Sequence, residues 1–68
     1  MIEEKIKMIK RLIKEDLSIL NYELNKLERD ITMTNSVNEL KYLNDKVDKF
    51  MKSVIDLKNL IKVKINRI

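Results

Sequence analysis

Thr32-Met33-Thr34-Asn35-Ser36 is the one interruption in a 68-residue chain that otherwise reads as helix from end to end. Ser36 has the chemistry of an N-cap: its hydroxyl can accept from the backbone N–H of Glu39, and the Glu39 carboxylate can reach back to the Ser36 N–H, a capping box. Thr32 and Thr34 interrupt a run of strong helix formers before it, and the chain has neither Gly nor Pro to end the first helix. The reading is a bend at 32–36 between a first helix over about 2–31 and a second over about 37–67. One long helix running straight through residue 36 is the alternative, because short polar residues are tolerated in mid-helix.

Working outward, Ile2, Ile6, Ile9, Ile13, Leu17, Leu20, Leu24, Leu27 and Ile31 recur in steps of four and three, a continuous helical stripe. The extra four-residue step from Ile13 to Leu17 reads as a stutter that keeps Asp16 out of the seam and in water. After the bend Leu40, Leu43, Val47, Phe50, Val54, Leu57, Ile61, Ile65 and Ile68 repeat the pattern, with a second stutter from Leu57 through Ile61 to Ile65. Two such stripes joined by a short bend pack antiparallel, so the expected fold is all-α: a two-helix hairpin of coiled-coil type forming a single domain. The expected register sets Ile31 near Val37, Leu20 near Val47 and Ile6 near Ile61.

Both stripes are wider than one helix pair can cover. Met8 and Leu12 beside the first, and Met51, Ile55 and Leu60 beside the second, are candidate partner-binding residues, with Tyr42 added to that set. Two occupants fit: a second copy, giving a homodimer that closes a four-helix bundle, or a helix of another protein. Symmetric dimers are the commonest oligomers, which favours the first.

Charge is unevenly spread. Residues 1–14 hold five basic and two acidic side chains (net +3), residues 15–48 four and eight (net −4), and residues 49–68 six and one (net +5). Folding back at the bend gathers both basic segments at the open end, about 45 Å from the acidic bend. Lys7, Arg11, Lys62 and Arg67 there are candidate anion-binding residues for nucleic-acid phosphates or an anionic membrane surface. Tyr22, Tyr42 and Phe50 all lie far from that end, so bases find nothing to stack on and nucleic-acid binding is expected to be weak or absent.

The chain contains no Cys and no His, which leaves carboxylates alone for a metal; no metal site and no cofactor is expected. It also lacks a Ser-His-Asp set and a Gly-rich phosphate loop. The longest uninterrupted apolar run is two residues, so neither a transmembrane segment nor a signal-peptide core is expected, and the expected location is the cytoplasm. Asn44, Asp45 and Asp48 share one region of the second helix with Lys41, Lys49 and Lys52. Solvated helix charges are the plain reading. In the functional one, Asn44 or an aspartate presents an oxygen to a partner's active site and positions a water there.

In this same stretch, Ser36 to Met51 (SVNELKYLNDKVDKFM) resembles the second helix of the small sporulation-regulating aspartyl-phosphate phosphatases of the stage-zero-E type. Those proteins are helical hairpins that act on the phosphorylated receiver domain of the sporulation master regulator. Their Ser-Gln-x-Leu-Asp motif follows a capping residue. Here Ser36 stands at the cap, Glu39 at the capping-box acid, Asn44 and Asp45 at the Ser and Gln, Val47 at the Leu, and Asp48 at the Asp, twelve residues after the cap. Leu20 to Leu27 (LNYELNKL) is similar to the family's first-helix leucine pattern, with Asn21 where an Arg is usual. The resemblance covers about half the chain. It implies docking on a receiver domain, with Asp48, Asn44 and Asp45 as catalytic candidates, while the missing Ser and Gln imply that docking outlasts dephosphorylation. The competing class is a basic structural or nucleic-acid-binding helical bundle of a phage, plasmid or archaeal element.

Overall fold

A computed structural model describes residues 2–68 as two antiparallel helices, α1 (Ile2–Met33) and α2 (Val37–Asn66), joined by Thr34, Asn35 and Ser36. The expected all-α hairpin is the observed one. Neither helix contains Gly or Pro, and each starts with acidic side chains in its first turn, Glu3 and Glu4 in α1 and Glu39 in α2, where the helix dipole favours negative charge.

The bend is tighter than its five-residue reading. Thr32 stays inside α1 because its hydroxyl donates to the Glu28 carbonyl at 2.8 Å, a back-bond that satisfies the side chain without leaving helical geometry. Thr34 N–H donates to the Asp30 carbonyl at 3.1 Å, continuing the i to i−4 ladder to the last residue before the turn. Ser36 then takes extended backbone (φ −103°, ψ 129°), and its hydroxyl accepts from Glu39 N–H at 3.3 Å. Half of the expected capping box is present. The Ser36 N–H donates to Thr34 Oγ1 at 3.2 Å instead of meeting the Glu39 carboxylate, so the bend closes on itself. No described residue has a positive φ. At the far end, Arg67 and Ile68 N–H donate three residues back, to Lys64 and Ile65 carbonyls, tightening the last turn and ending α2 at Asn66.

Helix rotation departs from the expected seams. Among the described residues Leu27 and Leu43 alone are buried; Ile9, Leu12, Ile13, Asp16, Leu20 and Asp30 are half-buried on α1, and Lys46, Val47, Phe50, Leu57, Ile61 and Lys64 on α2. Apart from Leu12 and Lys46, which lie to the side, these positions keep an unbroken heptad, and neither stutter is used. Asp16 is half-buried where it was expected wet, and Leu17 is 51% exposed where it was expected in the seam. Lys64 and Ile65 exchange in the same way on α2, Ile65 being 54% exposed. The physical reason is that two cylinders touch along one line. Here that line runs along the edge of each apolar stripe, and Leu17, Leu24 and Ile31, seven residues apart, turn to one side.

Register is shifted too. Leu20 shares a groove with Ser53 and Leu57, while Val47 shares one with Leu24, Leu27 and Ile31. Side chains lean toward the N-terminus of their own helix, so those of α1 lean toward the open end and those of α2 toward the bend. The residues that meet therefore lie further along the chain than backbone levels suggest, and Leu20 reaches beyond Val47. The result is a rod of 54 × 16 × 8 Å with a radius of gyration of 16.0 Å. A compact chain of this length would have a radius of gyration of about 11 Å.

Removing the cap tests the bend. Ser36→Ala should cost about 1 kcal/mol, while Ser36→Asp, which keeps an acceptor for Glu39 N–H, should be nearly neutral. Urea melts of the three proteins at one fixed chain concentration read this directly; equal midpoints for wild type and Ser36→Ala would contradict it.

Candidate functional site

The hairpin has two long faces of different chemistry. On one, Asp16, Glu23 and Asp30 stand seven residues apart along α1, opposite Lys46, Lys49, Ser53 and Asp56 of α2. Leu27 and Phe50 floor a shallow depression of about 310 Å³ near the bend, and Leu20, Leu57 and Leu60 a second of about 300 Å³ toward the open end. The three acidic residues are spaced by about 10 Å along the helix. Among the described residues no group of three His, Cys, Asp or Glu side chains could hold a metal ion.

The opposite face is apolar. Leu24, Leu27, Ile31, Val47 and Phe50, with Glu28 and Thr32 at the edge, line a depression of about 340 Å³. Leu24 is 47% exposed and Ile31 42% exposed. Leu17 continues this surface on α1, seven residues before Leu24, and Met51 and Val54 continue it on α2, four and seven residues after Val47.

These two faces divide the expected partner-binding set. Leu60 lines the charged groove, and Leu12 and Met8 fall on the same side, seven and eleven residues before Ile19, which also lines it. Tyr42, seven residues before Lys49, stands at that groove's rim with Lys46 Nζ 4.8 Å from its ring centre. Met51 and Ile55 belong to the apolar side. The six residues are not one patch.

Asn44 and Asp45 line a shallow exposed depression on α2 beside the bend, with Val37, Leu40 and Lys41. Asp48 is exposed one turn after Asn44, so both present oxygens outward, as the spacing suggested. Lys7, Arg11, Lys62 and Arg67 are all exposed, but they do not converge. Lys7 and Arg11 share the outer side of α1, whereas Lys62 and Arg67, five residues apart, point about 140° away from each other. Arg11 Nε is engaged by Glu15 Oε1 at 3.3 Å. The basic end is a scatter of cations and not a phosphate-tracking groove.

The ladder of Asp16, Glu23 and Asp30 has a signal in the sequence, its seven-residue repeat, which a stutter at Asp16 hides. No helix among the described residues is long and apolar enough to cross a membrane. No known protein family, curated protein or solved structure matches this chain.

Scattered cations make a clear expectation for nucleic acid. Duplex DNA or RNA should be retarded in a gel only at low salt, without sequence preference, and the shift should vanish by moderate salt because few phosphates are contacted at once. A complex that survives physiological salt would contradict this.

Proposed function

We propose that this hairpin is a small regulatory protein that works by docking on other protein surfaces. The observation that carries the reading is the apolar face of Leu17, Leu24, Ile31, Val47, Met51 and Val54, on a chain in which Leu27 and Leu43 alone are buried among the described residues. Exposed apolar surface of this extent costs stability unless a partner covers it. The depressions are shallow and wet, which gives small-molecule chemistry little to work with.

The target we propose is the phosphorylated receiver domain of a bacterial signalling protein, acted on in the cytoplasm, with sporulation control as the setting that the resemblance of residues 36–51 suggests. Supporting it, Asn44 and Asp48 stand exposed one turn apart on α2, free to enter a shallow active site. The chemistry asked of them is modest. In the acyl phosphate of a receiver aspartate, water attacks phosphorus, the bond from phosphorus to the carboxylate oxygen breaks, and the proton leaves the attacking water. The Asp48 carboxylate can accept that proton and the Asn44 side-chain oxygen can orient the water, with Asp45 beside them at the rim.

Phosphate release from phosphorylated receiver domains, with and without the hairpin, tests this. Asp48→Ala should abolish most of any acceleration while the complex still forms. Phe50→Ala should instead weaken the fold, by ~3 kcal/mol, since Phe50 lines both faces of the helix pair. Identical release with wild type, with Asp48→Ala and with no hairpin would reject the phosphatase; a complex that persists would leave a docking protein alone.

A further inference from the structure

The area of the molecule asks for a second copy. The hairpin exposes 6180 Å², whereas a compact chain of 8.2 kDa exposes about 4,500 Å². Two separate hairpins expose about twice the monomer value, and a compact particle of the same total mass about 7,500 Å². A pair of 54 Å rods stays longer than a compact particle, so this difference of about 5,000 Å² is an upper bound on the area that closing two hairpins removes, and half of it already lies in the range of obligate homodimers.

Charge then chooses the direction. Glu28 edges the apolar depression on α1, and Asn21 and Lys14 share its line at seven and fourteen residues before it. Along the α2 flank of the same face, one turn from Val47 and Val54, run Asn44, Met51 and Lys58, again seven apart. The grooves group Asp16 with Leu60, Glu23 with Ser53 and Asp30 with Lys46. That register sets Lys58 about one turn from the level of Lys14, and Asn44 and Met51 on either side of the level of Glu28. The α1 flank thus runs from basic near the open end to acidic near the bend, and the α2 flank from basic to uncharged.

We propose that the apolar face closes on a second copy running in the opposite direction, bend against open end, with the two-fold axis crossing the rod near Asn21 and Ile55. In this arrangement each α1 flank meets its own copy reversed, so Lys14 faces Glu28 at both ends, and each α2 flank does the same, which sets Lys58 beside Met51. Both charged contacts join unlike charges. The same-direction dimer lays each α1 flank on the second copy's α2 flank at the same level, which brings Lys14 toward Lys58 and leaves Glu28 with Asn44 and Met51. Its charged contacts join like charges. Apolar burial supplies the association, and the rim charges select between two otherwise similar packings. Lys58, four residues after Val54 on this face, keeps its ammonium at the rim by extending along the apolar surface.

The inference stands apart from the receiver-domain reading, because a dimer of this geometry can form whether or not phosphate release is accelerated. The chain has no cysteine, so single-cysteine variants report direction cleanly. Wild type should sediment as a dimer at tens of micromolar. Asn21→Cys should be cross-linked to a covalent dimer by a short bismaleimide, and Asn35→Cys, at the bend, should not. Glu28→Lys should weaken dimerisation about tenfold, and adding Lys14→Glu to it should recover most of the loss. Leu24→Lys should give monomers, with Leu12→Lys, on the other face, leaving the dimer in place. A wild-type monomer, a cross-link at Asn35, a dimer without the Asn21 cross-link, or a double charge swap no better than Glu28→Lys alone would overturn the proposal.

Discussion

Two helices alone can share only one line of contact, and most of what is unusual about this molecule follows from that constraint. Along the line lie Leu27 and Leu43, buried near the bend, and a row of half-buried positions leading away from them. Everything else on either helix faces outward. A third helix would have covered Leu24 and Ile31; here they stand beside the contact with 47% and 42% of their surface open. The bend sets which line is used, since three residues leave the two helices little freedom to roll about their axes once Ser36 has capped α2 through Glu39 N–H.

From this rotation come two faces of different chemistry. Apolar side chains at Leu17, Leu24 and Ile31 gather on one, while Asp16, Glu23 and Asp30 are carried to the other against Lys46 and Lys49. The charged groove can remain in water at little cost, since its carboxylates and ammonium groups stay solvated. The apolar face cannot do so cheaply. For a chain of 68 residues, whose single core is small, covering that face is the main route to a stable fold.

The docking and the self-association proposed above would draw on neighbouring parts of the same surface. Asn44, seven residues before Met51, stands at the border of the apolar face, and Asp48, one residue after Val47, stands further round on the outer side of α2 with Asp45. A hairpin with its apolar face covered still offers that outer side. The proposed docking requires no enclosed cavity; it asks only for a few oxygens held on a straight helix, beside a face that fixes orientation.

Periodicity and caps are local, which is why the helices were legible from residues alone. Steps of three and four between Ile2 and Ile31, and between Leu40 and Ile68, require two helices, and Ser36 with Glu39 marks where the second begins. The outward placement of Asn44 and Asp48 was readable for the same reason, since one turn separates them whatever the helices do. Rotation and register are not local properties. Whether Asp16 or Leu17 faces α2 depends on a roll of about 100°, which the bend and the packing of the whole pair decide together. For that reason Asp16 could not be assigned to the groove, nor Met8 and Leu12 separated from Met51 and Ile55, from spacing alone. Pairing of Leu20 with Leu57 in place of Val47 likewise depends on side chains leaning in opposite directions along the rod, which exists only once two antiparallel helices are side by side.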